Sequence, residues 1–278
     1  MRDYCIWVVS PQGYVHSHAF DEAALCLNCA FREIGYDVPI VRDVKRLTNY
    51  PIVLGCNLIP SLGSVKIPNT SILYNMEQIQ VDSPWMTKDY LALLRSYEVW
   101  DYSKKNIAEL ENLGIKNVKF CGLGYVPEMT SIKSAKNDID ILLYGSLNER
   151  RLGILRKLRD MGVSIQVLFG VYGEQRDYYI SRSKIVLNIH FYEAKVLEVV
   201  RVYYLLANRQ FVISEQGNDQ ELERLFHGGV AFAPYENLVE ECMKHLKEDS
   251  LRTEIAETGF SQIQSLTQVQ FLKEVLEQ

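Results

Sequence analysis

The sequence predicts an α/β protein made of two successive Rossmann-like domains with parallel sheets. Its 278 residues exceed the usual size of one domain, so we expect two domains of roughly 130 to 150 residues each. Short apolar runs alternate with amphipathic segments, which is the pattern that parallel sheets with crossover helices require. The polar run TSIKSAKND separates the two halves. We therefore predict a first domain at 1–130, a second at 131–278, and a functional site in the cleft between them.

The composition is that of a folded globular protein. Hydrophobic residues make up 47% and charged residues 23% of the chain, far from the composition of disordered proteins. The net charge of -5 argues against a general electrostatic attraction to nucleic acid or anionic membranes, so an anionic ligand requires a local basic site. The sequence shows neither a signal peptide nor an apolar run near the ~20 residues that cross a bilayer. We expect a cytoplasmic protein without a membrane span.

The cysteines lie in apolar strand-like or helix-like runs. Cys26 and Cys29 form a CxxC pair inside the helical run AALCLNCAF, but no second CxxC pair or paired histidines complete a zinc site. We therefore expect reduced thiols in the core and no bound metal.

The first half begins with a strand–helix–strand unit. Residues 4–10 form a buried-strand run, residues 19–34 have the apolar spacing of a helix, and Gly35 ends that helix. A helix is also predicted from Trp85 to Tyr97. Further strands are predicted at PIVLGC, TSILYNM, YEVWDYS and VKFCG.

The second half repeats the alternation. Its predicted strands are DIDILLYGS, SIQVLFG, KIVLNIH, FVISE and VAFAP. Its predicted helices are Glu149–Met161, Gln175–Ser183 and Lys195–Ala207, followed by a helical region from Leu238 to Gln278. We expect that the terminal helix can pack back on the first domain.

Ligands of open α/β sheets bind beyond the carboxyl ends of the strands, so the loops after strands are candidate sites. The first such loop carries His16 and His18 and leads into a helix with Asp21 and Glu22 in its first turn. Histidine accepts a proton near neutral pH, and a neighbouring carboxylate orients the ring, so this loop is a candidate general base. The alternative is a surface histidine or a helix cap.

The second loop, Gly145 to Arg151, runs from a strand into a helix N-terminus. Backbone N–H groups at a helix start and arginine side chains match phosphate oxygens, so a diphosphate is the predicted ligand. The candidate residues are Gly145, Ser146, Asn148, Arg150 and Arg151. The alternative is that the arginines are merely solvated. Neither GxGxxG nor GxxxxGK[ST] occurs, which disfavours dinucleotide oxidoreductases and P-loop NTPases.

Two further loops complete the set of candidates. In one, Phe169, Gly170 and Tyr172 offer exposed backbone and an aromatic ring for a nucleobase, although turn chemistry alone also explains the glycines. The other runs from a strand into a helix, and its candidate residues are His190, Glu193, Glu198 and Arg201. The glutamates are candidates for binding sugar or ribose hydroxyls. The alternative is an ordinary surface ion pair between Glu198 and Arg201.

The segment SRSKIVLNIHFYEAKVLEVVRVYYLLANRQFVISE resembles the donor-binding region of glycosyltransferases with the GT-B architecture. In those enzymes a strand ends at a polar loop, an acidic residue opens the next helix, that helix contains arginine, and a strand of V(I/V)SE type follows. Gly145 to Arg151 matches the first loop of their C-terminal domain, and the resemblance spans most of residues 139–260. One departure concerns the acidic pair, which has seven intervening residues in many retaining members but four between Glu193 and Glu198.

The resemblance implies a hexosyl- or pentosyltransferase that moves a sugar from a nucleotide-sugar donor to a hydroxyl-bearing acceptor. The acceptor is a glycan, a nucleic-acid base or a small molecule. The enzyme would need no metal or other cofactor, because Arg150, Arg151 and Arg201 would stabilise the leaving diphosphate. The alternative is a non-catalytic GT-B-like binding or scaffolding protein.

The resemblance leaves the stereochemistry open. If the reaction inverts the anomeric carbon, His18 is the first candidate base and His16 the second, with Glu22 as a nearby carboxylate; if it retains, no such base is needed. Tyr74, Asn75 and Glu77 follow a first-domain strand and are candidates for the acceptor side. The alternative is a buried tyrosine and a solvated glutamate. The DxD sequence at 138–140 begins a predicted strand, so it lies at the wrong end of the sheet for a ligand site.

Overall fold

The computed structural model describes residues 2–80, 83 and 85–278. The chain forms two compact units. Unit 1 comprises Met1–Glu128 together with Thr267–Gln278, and unit 2 comprises Met129–Leu266. The last helix of the chain therefore belongs to unit 1.

Unit 1 contains a parallel sheet. Its strands are β1 (Tyr4–Val8), β2 (Ile40–Val41), β3 (Tyr50–Leu54), β4 (Ile72–Asn75), β5 (Glu98–Asp101) and β6 (Val118–Phe120). Within the described residues they lie in the order β2-β1-β3-β4-β5-β6. Its helices are α1 (Asp21–Glu33), α2 (Lys88–Ser96), α3 (Lys104–Asn112) and α10 (Gln268–Glu277). The central strands are apolar on both faces because helices cover both faces of a parallel sheet.

Unit 2 contains a second parallel sheet. Its strands are β7 (Ile139–Tyr144), β8 (Ile165–Leu168), β9 (Ser183–Asn188), β10 (Val212–Glu215) and β11 (Ala231–Ala233), in the order β11-β10-β9-β7-β8. Its helices are α4 (Glu149–Asp160), α5 (Gly173–Ile180), α6 (Val199–Ala207), α7 (Gln220–Arg224), α8 (Leu238–His245) and α9 (Asp249–Ser265). The two parallel sheets with helices confirm the predicted α/β fold class.

Several predicted helix boundaries were wrong. The helix predicted from Lys195 begins at Val199, because Lys195 has a φ of 47° and interrupts helical geometry. The helix predicted to end at Ser183 ends at Ile180, and Ser183 already belongs to β9. The helix predicted from Trp85 begins at Lys88, where the Thr87 side chain caps it.

The region before α1 also differs from the prediction. Val15–Phe20 forms a 3₁₀ helix, and α1 begins only at Asp21. The predicted histidine loop is therefore partly helical. In the described part of the chain, no helix combines the length and the apolar character needed to cross a membrane. All six cysteines are buried free thiols, as expected for core residues.

A buried glutamine attaches α10 to the rest of unit 1. Gln268 is fully buried; its Oε1 accepts from the Gly124 N–H at 2.8 Å, and its Nε2 donates to the Gly122 carbonyl at 3.2 Å. The Gln268 N–H also donates to the Tyr125 carbonyl at 3.0 Å. A Cβ at Gly122 would lie 2.7 Å from the Phe271 ring, so this close approach of α10 requires glycine.

We expect Gln268→Ala to destabilise unit 1 by about 1–3 kcal/mol, because it leaves buried backbone groups of Gly122 and Gly124 unsatisfied. Urea unfolding followed by circular dichroism measures the loss. The matched control is Gln270→Ala on the exposed side of the same helix, which should change the unfolding free energy by less than about 0.5 kcal/mol. Equal effects of both variants would contradict this role of Gln268.

Candidate functional site

Polar residues gather at the carboxyl edge of the unit 2 sheet. The adjacent strands β7, β9 and β10 end at Tyr144, Asn188 and Glu215. Because the strands are parallel, the loops that follow them emerge at the same edge. The structure thereby brings together the second and fourth predicted loops.

Glu215 is a buried carboxylate at this edge that binds groups from both loops. Its side chain is 1% exposed and accepts two hydrogen bonds from the Arg150 guanidinium, one from Lys195 Nζ at 3.2 Å and one from the His190 backbone N–H at 3.1 Å. Burial by itself would raise the pKa of Glu215, but the bonds from Arg150 and the charge of His190 bring this pKa below its ordinary value. Glu215 therefore stays ionised and fixes both loops.

Glu198 stands at the N-cap position of α6 and is the second anionic centre. Its carboxylate accepts from Asn188 Nδ2 at 2.8 Å, lies 3.3 Å from His190 Nδ1 and lies 3.9 Å from Arg151 Nη2. Burial opposes ionisation, but the His190 ring and the Arg201 charge lower the pKa of Glu198 to about 2. Burial likewise lowers the pKa of His190, yet Glu198 more than offsets it and the pKa of His190 is raised.

Arg151 is buried to an unusual degree for an arginine, with its side chain 3% exposed. It donates to the Ser146 carbonyl at 2.7 Å and to the Ile189 carbonyl, so it joins the second loop to the fourth. Burial, followed by the nearby charge of Arg201, lowers the pKa of Arg151 to about 10. It remains charged at neutral pH.

Arg201 approaches the same place from α6. Its Nη1 donates to Asn188 Oδ1 at 2.8 Å, and its guanidinium lies 4.8 Å from the centre of the Tyr144 ring. Within the described residues, the buried Nε atoms of Arg151 and Arg201 lack hydrogen-bond partners. Native proteins rarely leave such donors unpaired, and both Nε donors are unsatisfied in this conformation.

The charges at this edge favour an anionic ligand. Arg150 and Lys195 bind Glu215, and Arg151 and Arg201 interact with Glu198. The charge of Glu215 also acts on Arg151. These four basic side chains exceed the two carboxylates by two positive charges, in a partly dehydrated position where a charge-assisted bond to a phosphate oxygen is strong.

Gly145 makes room for the two arginines. It has a φ of 116°, and a Cβ there would lie 2.9 Å from Arg201 Nη2 and 3.5 Å from Arg151 Nη1. Glycine is therefore favoured at position 145 both by the positive φ of the turn and by the two arginine side chains beside it.

The other predicted residues of unit 2 have varied surroundings. Asn148 caps α4 by accepting from the Arg151 N–H at 2.9 Å, and its Nδ2 donates to the Phe191 carbonyl at 3.3 Å. Phe169 follows β8 and is 60% exposed, while Tyr172 is the N-cap residue of α5. Gly170 has a φ of 68°, as a tight turn requires. At Glu193, the backbone carbonyl accepts from Asn218 Nδ2 at 3.4 Å.

In unit 1 the histidine segment lies at the surface. His18 Nδ1 lies 2.7 Å from Asp21 Oδ2, with the two side chains 48% and 42% exposed, and Arg42 also binds Asp21. The carboxylate that binds His18 at this distance is that of Asp21. The His16 ring packs edge-on against the Tyr14 ring at a centroid distance of 5.3 Å.

The predicted acceptor residues of unit 1 differ in accessibility. Tyr74 and Asn75 are fully buried, and the Tyr74 hydroxyl donates to the Cys121 carbonyl at 2.7 Å, so neither side chain meets the surface. Direct acceptor contact by these two residues does not fit the structure. Glu77 is partly exposed and accepts from Asn57 Nδ2 at 2.9 Å.

The DxD aspartates lie at the opposite edge of the unit 2 sheet. Asp138 pairs with Arg182 at 2.5 Å, and Asp140 pairs with Lys184 at 2.7 Å. Both carboxylates thus make local ion pairs at the start of β7.

Three residues of the site were not among the predicted ones, namely Asn188, Lys195 and Glu215. Asn188 and Glu215 are polar residues at the carboxyl ends of β9 and β10, after apolar residues, and that position was the available signal. No local pattern marks Lys195, whose left-handed backbone brings its amine to Glu215.

Solved structures with the same architecture are numerous. HepE of Anabaena, in complex with UDP-glucose, has a TM-score of 0.64 at 9% identity, with 99% of this chain and 98% of that chain covered. WaaG, a glycosyltransferase of lipopolysaccharide biosynthesis, has a TM-score of 0.62 at 10% identity, with 98% of each chain covered. AviGT4, a glycosyltransferase of avilamycin A biosynthesis, has a TM-score of 0.59 at 12% identity, with 99% and 96% covered.

The chain has the GT-B fold. This confirms the architecture expected from the resemblance.

No protein-family profile matches the sequence. Uncharacterized protein L140 of Acanthamoeba polyphaga mimivirus is 28% identical over 194 residues, which are 66% of this chain and 61% of L140. Uncharacterized protein L138 of the same virus is 26% identical over 154 residues, which are 54% of this chain and 15% of L138. The chain thus spans only part of the length of these relatives.

We expect Gly145→Ala to unfold more easily by about 1–2 kcal/mol from backbone strain and also to displace Arg201. Gly162→Ala is the matched control, because Gly162 has a φ of 83° but nothing within 4 Å of an added Cβ. Thermal unfolding should show a similar loss for both variants, while phosphate-anion binding, measured by calorimetry with pyrophosphate, should fall only for Gly145→Ala. Equal pyrophosphate binding by both variants would refute the assigned role of Gly145.

Proposed function

We propose that the protein is a glycosyltransferase that moves a hexosyl or pentosyl group from a nucleotide-sugar donor to a hydroxyl-bearing acceptor. The observation that carries the proposal is that the guanidinium groups of Arg151 and Arg201 meet beside Gly145. In the described part of the chain, their buried Nε atoms also lack hydrogen-bond partners. A diphosphate supplies the acceptor atoms and negative charge that this pair requires.

The neighbouring residues suit the rest of such a donor. Glu198, held ionised and fixed by Asn188 and His190, is an acceptor for ribose or sugar hydroxyls. Phe169, which follows β8 and is 60% exposed, is the candidate for stacking with a nucleobase. In this proposal, the diphosphate, the sugar or ribose hydroxyls and the nucleobase are each bound by a different loop at one edge of the unit 2 sheet.

The proposed chemistry depends on stabilising negative charge on the departing group. As the bond between the anomeric carbon and the diphosphate breaks, its electron pair moves to the phosphate oxygen. Guanidinium groups fixed before the reaction stabilise that charge without reorganisation, and this electrostatic contribution is commonly worth about 3–4 kcal/mol per donor. Arg151 and Arg201 are the groups in position, and Arg150 supports them by fixing Glu215.

The structural neighbours support this proposal by analogy of fold. HepE has been crystallised with UDP and with UDP-glucose, which makes uridine nucleotides the first donors to test. Because the fold alone does not specify a reaction, the decisive evidence is binding at the named residues.

We expect one nucleotide series among UDP, GDP, TDP, CMP and their sugars to raise the melting temperature of the wild-type protein. A ligand at about 100 times its dissociation constant stabilises the folded state by roughly 2.7 kcal/mol. Arg201→Lys and Glu198→Gln should lose most of this effect, because lysine cannot reproduce the guanidinium geometry and glutamine lacks the charge. Arg182→Lys, at the opposite edge of the sheet, is the control and should respond like the wild type.

Two results would count against the proposal. One is the failure of every nucleotide to stabilise the wild-type protein. The other is an unchanged response in both site variants. Stabilisation by a nucleotide sugar without release of its sugar to water or to any acceptor would instead favour the non-catalytic binding protein.

A further inference from the structure

A cavity lies within unit 2 at the amino edge of its sheet. Its volume of about 510 Å³ is within the range of about 300–1,000 Å³ that is usual for small-molecule sites. Ser183 at the cavity begins β9, and Asn188 of the candidate site ends this strand. At a rise of about 3.3 Å per residue, the two lie about 17 Å apart along the strand. The cavity is therefore separate from the proposed donor site.

Three basic side chains line the cavity, and each comes from a different element of unit 2. Lys184 is the second residue of β9, Arg209 follows the end of α6, and Arg252 lies near the start of α9. Basic side chains that converge on one cavity raise the local concentration of anions and donate charge-assisted hydrogen bonds to them. The lining therefore favours an anionic ligand.

Arg252 contributes a buried positive charge. Its side chain is 7% exposed, whereas Asp249, the carboxylate that accepts from its Nη2, is 87% exposed. Its Nη1 donates to the His245 carbonyl at 2.5 Å. A guanidinium has five N–H donors, so these two bonds orient the group without using all of its donors. Because water screens the exposed Asp249, this carboxylate compensates the buried guanidinium only weakly.

The other two basic side chains also pair with carboxylates. Lys184 Nζ lies 2.7 Å from Asp140 Oδ1, and the charge of Arg252 also acts on Asp140. Arg209 lies 3.1 Å from Glu257, whose side chain is 53% exposed. Since solvent screens exposed carboxylates more than the buried Arg252, the electrostatic potential inside the cavity is positive.

Arg209 occupies a backbone conformation that glycine normally takes. Its φ is 52°, and it directly follows the C-cap of α6. The Arg209 N–H donates to the Leu206 carbonyl at 3.0 Å. The Gln210 N–H donates to the Leu205 carbonyl at 3.0 Å, which completes a Schellman motif with arginine at the usual glycine position. Backbone strain of this kind clusters at ligand-binding sites, and the strained residue here lines the cavity.

We propose that this cavity binds a small phosphate monoester that carries hydroxyl groups, with its phosphate bound by Arg252, Arg209 and Lys184. The planar N–H groups of the two guanidinium groups match phosphate oxygens in geometry as well as in charge. Side chains such as Ser134 and Asn137 supply hydroxyl and amide groups to the wall, and these both donate to and accept from hydroxyls of the ester. The proposal does not depend on glycosyl transfer, because the cavity and the donor residues lie at opposite edges of the sheet.

The exposed carboxylates make the cavity selective for small anions. Asp249 and Glu257 both line it and are the most exposed charged groups there. They repel a polyanion that extends beyond the cavity, such as a nucleic acid, but a single phosphate group can contact Arg252 inside. A compact ester therefore fits the lining better than a nucleic acid does.

Isothermal titration calorimetry of the full chain with glycerol 3-phosphate, ribose 5-phosphate and glucose 6-phosphate tests the proposal. The titrations are repeated on Arg201→Lys, which weakens the proposed diphosphate site at the other edge of the sheet. We expect at least one ester to bind both proteins with similar affinity and with one molecule per chain. Inorganic phosphate should bind about tenfold more weakly than this ester, because it lacks the hydroxyl contacts.

Arg209→Gly is the most informative variant. Glycine adopts a left-handed backbone without strain, so this variant should keep the fold, which thermal unfolding checks. It should weaken ester binding by about tenfold, and so should Lys184→Met. Arg156→Gln, at an exposed position on α4, is the matched control and should leave ester binding unchanged.

Four results would overturn the proposal. The first is that no ester binds the wild-type protein. The second is loss of ester binding in Arg201→Lys, which would place the esters at the carboxyl edge. The third is unchanged binding by both Arg209→Gly and Lys184→Met, and the fourth is equal affinity for inorganic phosphate and every ester.

Discussion

The burial of two glutamates among basic side chains is the constraint on which the candidate site of unit 2 depends. Glu215 and Glu198 remain ionised although they are largely removed from water. Arg150 and Lys195 bind Glu215, and the charges of His190 and Arg201 act on Glu198. Removing one partner of such a pair commonly costs about 3–5 kcal/mol, so these contacts lock the loops after β9 and β10 in place. Among the described residues, the Nε atoms of Arg151 and Arg201 then have no hydrogen-bond partner, and these are the side chains that we propose for the diphosphate.

Unit 1 uses the same principle with a different outcome. Asp101 is buried among amides instead of cations, and its partners Asn75 and Asn106 direct their remaining hydrogen bonds to the backbone of Glu77. In both units a buried carboxylate fixes a loop at the carboxyl edge of a parallel sheet. In unit 2 the fixed loops carry positive charge, whereas in unit 1 the fixed loop carries a carboxylate.

The sequence predicted the sheets well because buried parallel strands are continuous apolar runs, as in DIDILLYGS and KIVLNIH. It placed the start of α6 too early, because nothing in the residue type indicates that Lys195 adopts a left-handed backbone. The grouping of Gly145 with Arg201, and of Asn75 with Asp101 and Asn106, depends on strand order. Residues far apart in the chain meet there, so no local pattern reveals the contacts. Strand-end position could identify candidates but could not separate the buried Tyr74 from the accessible Glu77.

A crystal structure of the protein soaked with UDP tests the central claim most directly. The account predicts electron density for the diphosphate at the carboxyl edge of the unit 2 sheet, with its oxygens within hydrogen-bond distance of the Arg151 and Arg201 side chains and the ribose beside Glu198. Density for the diphosphate away from this edge, with both arginines in their present contacts, would contradict it.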